Sequence, residues 1–139
     1  MTQEQIQEKY LHFQLIQQQI KQIQQQILLL EQQTLDLKQL DESLTNLSKV
    51  KTNTPLYSPL GMGIFLETEI KNNKEVLMNV GSKVVLKKPI SETQEIIRRQ
   101  IDELEEAFRN LQGQLSESIE MATNLSGEIE TLNSTIKKK

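Results

Sequence analysis

The side chains that could do chemistry in this 139-residue chain are few, and their spacing does not suit it. His12 is the single histidine, and no acid or nucleophile stands at a fixed spacing from it. It reads as a surface residue of a helix rather than a general base. Asp102, Glu103, Glu105 and Glu106 supply carboxylates for acid–base work, but a run of this kind reads as a solvated helix face. Gly61-Met62-Gly63 starts like a phosphate-cradling loop, yet it lacks the third glycine and the following helix of a dinucleotide fingerprint. The absence of cysteine excludes disulfide scaffolds, thiolate zinc sites and cysteine nucleophiles. No metal-ligand spacing is present. The expectation is a protein without catalytic residues, metal or cofactor.

Charge and hydropathy narrow the class further. The net charge is −3, with no basic half and no basic stripe, so the electrostatic footprint of nucleic-acid binding is missing. The one lysine cluster, Lys137-Lys138-Lys139, reads as a complement to the negative end of a helix. The longest apolar run, Ile27 to Leu30, is far too short to cross a bilayer. The polar start, Met1 to Gln5, carries no visible secretory signal, and a cytoplasmic location is expected. Asn46-Leu47-Ser48, Asn124-Leu125-Ser126 and Asn133-Ser134-Thr135 are then chance matches to the glycosylation pattern.

The elements are more informative than any motif. Phe13, Ile16, Ile20, Ile23, Ile27, Leu30, Thr34 and Leu37 step alternately by three and four. Ile97, Ile101, Leu104, Phe108, Leu111, Leu115, Ser118, Ala122, Leu125, Ile129, Leu132 and Ile136 do the same. Sustained alternation of this kind marks a coiled-coil seam. The first helix is expected over about Thr2 to Lys49, with Thr2 as its cap. Its Gln-rich faces fit a helix because Gln is a good helix former and the apolar period is intact. Near its end the stripe reads Leu37, Leu40, Leu44, Leu47, a step of three where four was due, which predicts a local overwinding. The second helix is expected from Ser91, with Ser91 and Gln94 as a capping box. Gly113 and Gly127 fall on its outer positions and soften the half furthest from the middle of the chain.

The segment from about Lys51 to Ile90 follows a period of two and holds all three prolines. It predicts four strands: Thr54 to Tyr57, Gly63 to Ile70, Glu75 to Val80, and Val84 to Lys87. The turns are expected at Ser58 to Gly61, Lys71 to Lys74, where Asn tolerates positive φ, and Gly81-Ser82. This is a meander of two hairpins between two antiparallel helices, an α+β arrangement. The helical stripes bury each other, so the strand face of Ile64, Leu66, Ile70, Val76, Met78 and Val80 is left without a cover. Phe65, Leu77 and Val85 on the opposite face are apolar as well. Burying six such side chains would contribute roughly 10 kcal/mol, so pairing with strands of other subunits is expected.

Heptad, two hairpins and heptad in this order resemble an alpha-class prefoldin subunit over essentially the whole chain. The most specific segments are Pro59-Leu60-Gly61-Met62-Gly63-Ile64-Phe65-Leu66, Val76-Leu77-Met78-Asn79-Val80-Gly81 and Val84-Val85-Leu86. Ile101-Asp102-Glu103-Leu104-Glu105-Glu106-Ala107 is also similar to the family. Lys83 departs from it, since a small residue or Gly is usual at that turn. The resemblance implies a single domain over residues 1–139, with helical arms at 1–50 and 91–139 and an oligomerisation body at 51–90.

It further implies a hetero-hexamer of two alpha-class and four beta-class subunits, an ATP-independent holdase. Such a holdase takes non-native polypeptide at its coiled-coil tips and passes it to a group II chaperonin. The implied subunit interface is Leu56, Tyr57, Leu60, Ile64, Phe65, Leu66, Ile70, Val76, Met78, Val80, Val84 and Leu86. The implied client contacts are Ile6, Tyr10, Leu11, Phe13, Leu132 and Ile136. Tyr10 and Leu11 lie off the seam, whereas Ile6, Phe13, Leu132 and Ile136 also fit as ordinary seam residues. The competing expectation is a coiled-coil tether that assembles through its strands and binds folded partners along its helices.

Overall fold

A computed structural model describes residues 3–137 of the chain. The predicted cap at Thr2, and the helix-end role of Lys138 and Lys139, lie outside the described residues. The elements run α1 (Gln3–Lys49), β1 (Pro55–Gly61), β2 (Ile64–Glu69), β3 (Glu75–Gly81), β4 (Val84–Pro89) and α2 (Ile90–Lys137). Two long helices thus form an antiparallel coiled coil with two antiparallel hairpins inserted between them. The chain divides into two compact units, one of Met1–Gln33 with Leu104–Lys139 and one of Thr34–Glu103.

In the first unit the heptad stripe is the buried stripe. Ile16, Ala122 and Leu132 are buried, Ile136 is exposed, and the other stripe positions up to Leu30 and back to Leu104 are half-buried. Lys9 occupies a seam position between Ile6 and Phe13, and its Nζ meets Glu128 Oε2 at 2.8 Å. Gly113 and Gly127 face open space, with no atom within 4 Å of an added Cβ.

In the second unit Leu44, Ile90, Ile97 and Ile101 form a core, with Leu37, Leu47 and Val76 packed against it. The irregular step lies one heptad later than the apolar residues alone suggest, between Leu44 and Leu47 rather than between Leu37 and Leu40. Leu40 is exposed, and the seam steps by four from Leu37 to Asp41 and then by three to Leu44. A polar residue holds the position that an apolar-only count passes over. The capping box does not form. α2 starts at Ile90, whose N–H donates to Lys74 O at 2.9 Å. Gln94 reaches away from Ser91, and its Nε2 donates to Asp41 O at 3.1 Å and to Thr45 Oγ1 at 2.7 Å.

The strands form two separate two-stranded sheets rather than one meander. The first turn sits at Met62-Gly63, not at Ser58 to Gly61, and Pro59 lies inside β1 opposite Phe65. A two-stranded hairpin has only edge strands, on which an outward-pointing N–H has no ladder bond to lose. The second turn is Ser82-Lys83 rather than Gly81-Ser82. Residues 56–66 and 76–86 are a repeat at a shift of 20 positions, apolar at most matching places though not at 58/78 or 62/82, and with Gly61 matching Gly81. The two ladders have the same register under that shift, down to an irregularity just before each turn. Both residues of each turn have positive φ, 52° and 78° at Met62-Gly63 and 50° and 64° at Ser82-Lys83. Tight hairpins with right-handed strand twist require this.

Asn72 and Asn73 work through their side chains, not through positive φ. Asn72 Oδ1 accepts from the N–H groups of Lys74 and Glu75. Asn73 Nδ2 donates to Val50 O at 2.8 Å, just past the end of α1. With the Ile90 bond to Lys74, the segment joining the hairpins fastens one end of each helix.

Candidate functional site

Two apolar surfaces are candidates, one in each unit. In the second unit the hairpins carry the first. Tyr57, Leu60, Ile64, Phe65, Leu66, Val80, Val84 and Leu86 are all at least 46% exposed, and Leu56 is 38% exposed. Alternation along a strand puts Leu56, Ile64 and Leu66 on one face of the first hairpin and Tyr57 and Phe65 on the other. Neither face is covered. Val76 turns inward against the helical core, and Ile70 and Met78 are half-buried. Leu77 and Val85, which the sequence placed on the opposite face, are 70% and 52% exposed. A hairpin with two apolar faces in water is marginal alone. Here each is held by its junction to the helices.

In the first unit Ile6, Gln7, Tyr10, Leu11 and Gln14 of α1 and Ile129 and Asn133 of α2 line a groove of about 480 Å³. Tyr10 and Leu11 are exposed because they follow the seam residues Ile6 and Lys9 and point off the stripe. Ile6 and Ile129 are half-buried at the groove floor. Of the expected client contacts the groove gathers Ile6, Tyr10 and Leu11. Phe13 is half-buried in the seam, Leu132 is buried, and Ile136 is exposed, and none of these lines the groove. Ile129 was legible only as a seam residue. Its neighbour Glu128 pairs with Lys9 across the helices.

His12 is exposed on α1. Among the described residues no cluster of three or more His, Cys, Asp or Glu side chains could hold a metal ion. No described helix is long and apolar enough to cross a membrane.

Residues 16–136 match the family model described as Prefoldin subunit. Archaeal proteins named Prefoldin subunit alpha are similar in sequence. The one from Methanococcus vannielii is 28% identical over 94 residues, covering 68% of this chain and 64% of that protein. The one from Methanobrevibacter smithii is 29% identical over 82 residues, covering 59% of this chain and 56% of that protein. The matches thus span less than two thirds of those relatives' lengths. In structure the chain is similar to a filamentous PFD from Methanocaldococcus jannaschii solved by cryo-EM. The TM-score is 0.74 at 19% identity, covering 83% of this chain and 95% of that one. A family match over most of the chain, two helices around two hairpins, and relatives named subunit alpha agree, and the chain belongs to the prefoldin subunit family, on its alpha-class side.

Proposed function

We propose that this chain, acting as one domain over residues 1–139, is the alpha-class subunit of an ATP-independent holdase. Its hairpins join it to a second alpha and four beta-class subunits. The chain-terminal ends of its helix pair hold non-native polypeptide, which passes to a group II chaperonin in the cytoplasm. No nucleotide or metal takes part.

The observation that carries this reading is the open apolar groove of Ile6, Tyr10, Leu11 and Ile129, beside a first helix rich in Gln. Non-native chains expose apolar side chains, so a capture site needs apolar groups that are reachable yet too dispersed to aggregate. Full burial of one such side chain contributes roughly 1.5–3 kcal/mol. A single groove therefore binds weakly, and several grooves on one assembly gain affinity by acting together.

The test is light scattering of an aggregating client in the presence of the assembled complex. Suppression that is lost on truncating the residues around the groove supports the reading. A complex that leaves aggregation unchanged, or a truncation without effect, removes it. The tethering alternative draws on a different observation: Leu28 and Leu29 are exposed on α1, away from the groove. Under that alternative, substituting those leucines abolishes partner capture while aggregation is unaffected throughout.

A further inference from the structure

Lysine gathers at the junction of the helices and the hairpins in a way that no run of the sequence shows. Residues 49–89 hold seven lysines against Glu67, Glu69 and Glu75, while the rest of the chain holds nine basic side chains against sixteen acidic ones. Four of the seven are brought together by hydrogen bonds to the backbone. Asn73 Nδ2 donates to Val50 O at 2.8 Å, which sets Lys49 and Lys51, the neighbours of Val50, beside Lys74, the neighbour of Asn73. The Asn53 N–H donates to Ile70 O at 2.6 Å, and Thr54 Oγ1 donates to Lys51 O at 2.6 Å, so Lys71 comes to the same place. The bend that allows this passes through Asn53, at a φ of 67°. All four lysines are exposed. None of their side chains forms an ion pair or hydrogen bond with a described residue. Glu69 and Glu75 stand close in sequence, yet neither pairs with them, and Asn72 Nδ2 approaches Glu75 at 3.5 Å instead.

We propose that Lys49, Lys51, Lys71 and Lys74 form a docking surface for an acidic, extended segment of a partner polypeptide. Lys49 ends α1 and complements the negative end of that helix, but one cation serves that need and the other three exceed it. Like charges held together repel, and an anionic ligand removes that repulsion as it binds. Carboxylates fit better than a nucleic acid for two reasons. The patch has no Arg to grip phosphate in two places and no aromatic ring on which a base could stack. The helices that leave it carry Asp41, Glu42, Glu92 and Glu95, which repel a long stiff polyanion, whereas a short flexible segment can stay on the lysines. Alternate residues of an extended chain fall on one side about 7 Å apart, so acidic residues at every second position reach several lysines at once. The surface belongs to the second unit and the groove to the first. Charge holds the occupant of the one, and apolar contact that of the other.

The test is fluorescence anisotropy of a labelled peptide of alternating Glu and Ser, titrated with the full-length chain at low and high salt. The parent should bind it, and salt should weaken the binding steeply. Lys51→Gln with Lys71→Gln should weaken it on the order of tenfold. That variant should melt no lower than the parent, because it removes repulsion and no side-chain contact, so lost binding is not lost fold. Lys21→Gln with Lys83→Gln removes the same charge elsewhere on the chain and should bind as the parent does. No binding at low salt overturns the proposal. So does an equal loss in the two double variants, the mark of net charge alone. An oligothymidylate of equal length that binds more tightly than the peptide overturns it in favour of a nucleic acid. Aggregation suppression does not enter the measurement, so this surface and the capture groove stand or fall separately.

Discussion

Arg98 Nε donates to Asp41 Oδ2 at 3.2 Å across the helix pair, and so holds a carboxylate at a seam position. The other carboxylate oxygen, Oδ1, is buried without a hydrogen-bond partner. A half-satisfied ion pair in a seam contributes little to stability, because desolvation offsets the attraction. Asp41→Leu should therefore raise the thermal midpoint of helix loss, by an amount equivalent to about 1 kcal/mol. Arg98→Ala should lower it by less than about 1 kcal/mol, since Arg98 is well exposed and its attraction is screened. Circular dichroism melts of both variants check the opposite signs.

The start of α2 gives a second contrast between neighbours. Ser91 is exposed inside the first turn, and no cap comes from it. Gln94 makes two hydrogen bonds to α1, one to Asp41 O and one to Thr45 Oγ1. Gln94→Ala should cost about 1 kcal/mol, since it removes two hydrogen bonds between the helices while Thr45 Oγ1 keeps its bond to Asp41 O. Ser91→Ala should stay within about 0.5 kcal/mol. A capping box would reverse that order, so denaturant melts of the two variants decide the point.

Lys83 holds φ at 64° at the place where the first hairpin has Gly63 at 78°. A side chain in this region costs roughly 1–2 kcal/mol. Lys83→Gly should relieve most of that and protect the amides of β3 and β4 more strongly against hydrogen exchange. Gly81 sits at 115°, outside even the small left-handed region open to ordinary residues. An added Cβ there meets no atom within 4 Å. Gly81→Ala should thus loosen the second hairpin through backbone strain alone, with the opposite change in exchange.

The stripe from Phe13 to Leu37 and the stripe of α2 were legible because apolar spacing alone determines which side of a helix is buried. Asp41 was not, because its place in the seam depends on Arg98 of the other helix. Pro59 suggested a turn, and only the two-stranded ladder, with no neighbour to need its N–H, makes it a strand residue. The repeat between the hairpins could be read in the sequence once Gly61 and Gly81 were aligned. Val76 could not be told from Leu77 by hydropathy. Alternation sets them on opposite faces, but which face meets the helices is decided by where the connecting segment binds Val50 and Ile90. At the groove, Tyr10 and Leu11 were visible as off-stripe residues. Ile129 needed the pairing of the helices.

That distinction between stripe and off-stripe residues separates two ways in which the helix ends could hold a client. If Tyr10 and Leu11 bind without opening of the pair, Tyr10→Ser with Leu11→Ser should reduce aggregation suppression several-fold and leave helix content unchanged, because both side chains are exposed. Leu132 is buried, so Leu132→Ala should instead destabilise the helix pair by about 2–5 kcal/mol if its site cannot collapse, seen as a lower thermal midpoint. If capture requires fraying, stiffening the helix should oppose it. Gly113→Ala and Gly127→Ala add methyl groups in open space and should stabilise α2 by about 1 kcal/mol each. A groove that is already open predicts unchanged suppression in the double alanine variant, and a seam that must open predicts a loss. Light scattering on the assembled complex, alongside a melt of each variant, distinguishes the two, because only the fraying route ties suppression to helix stability.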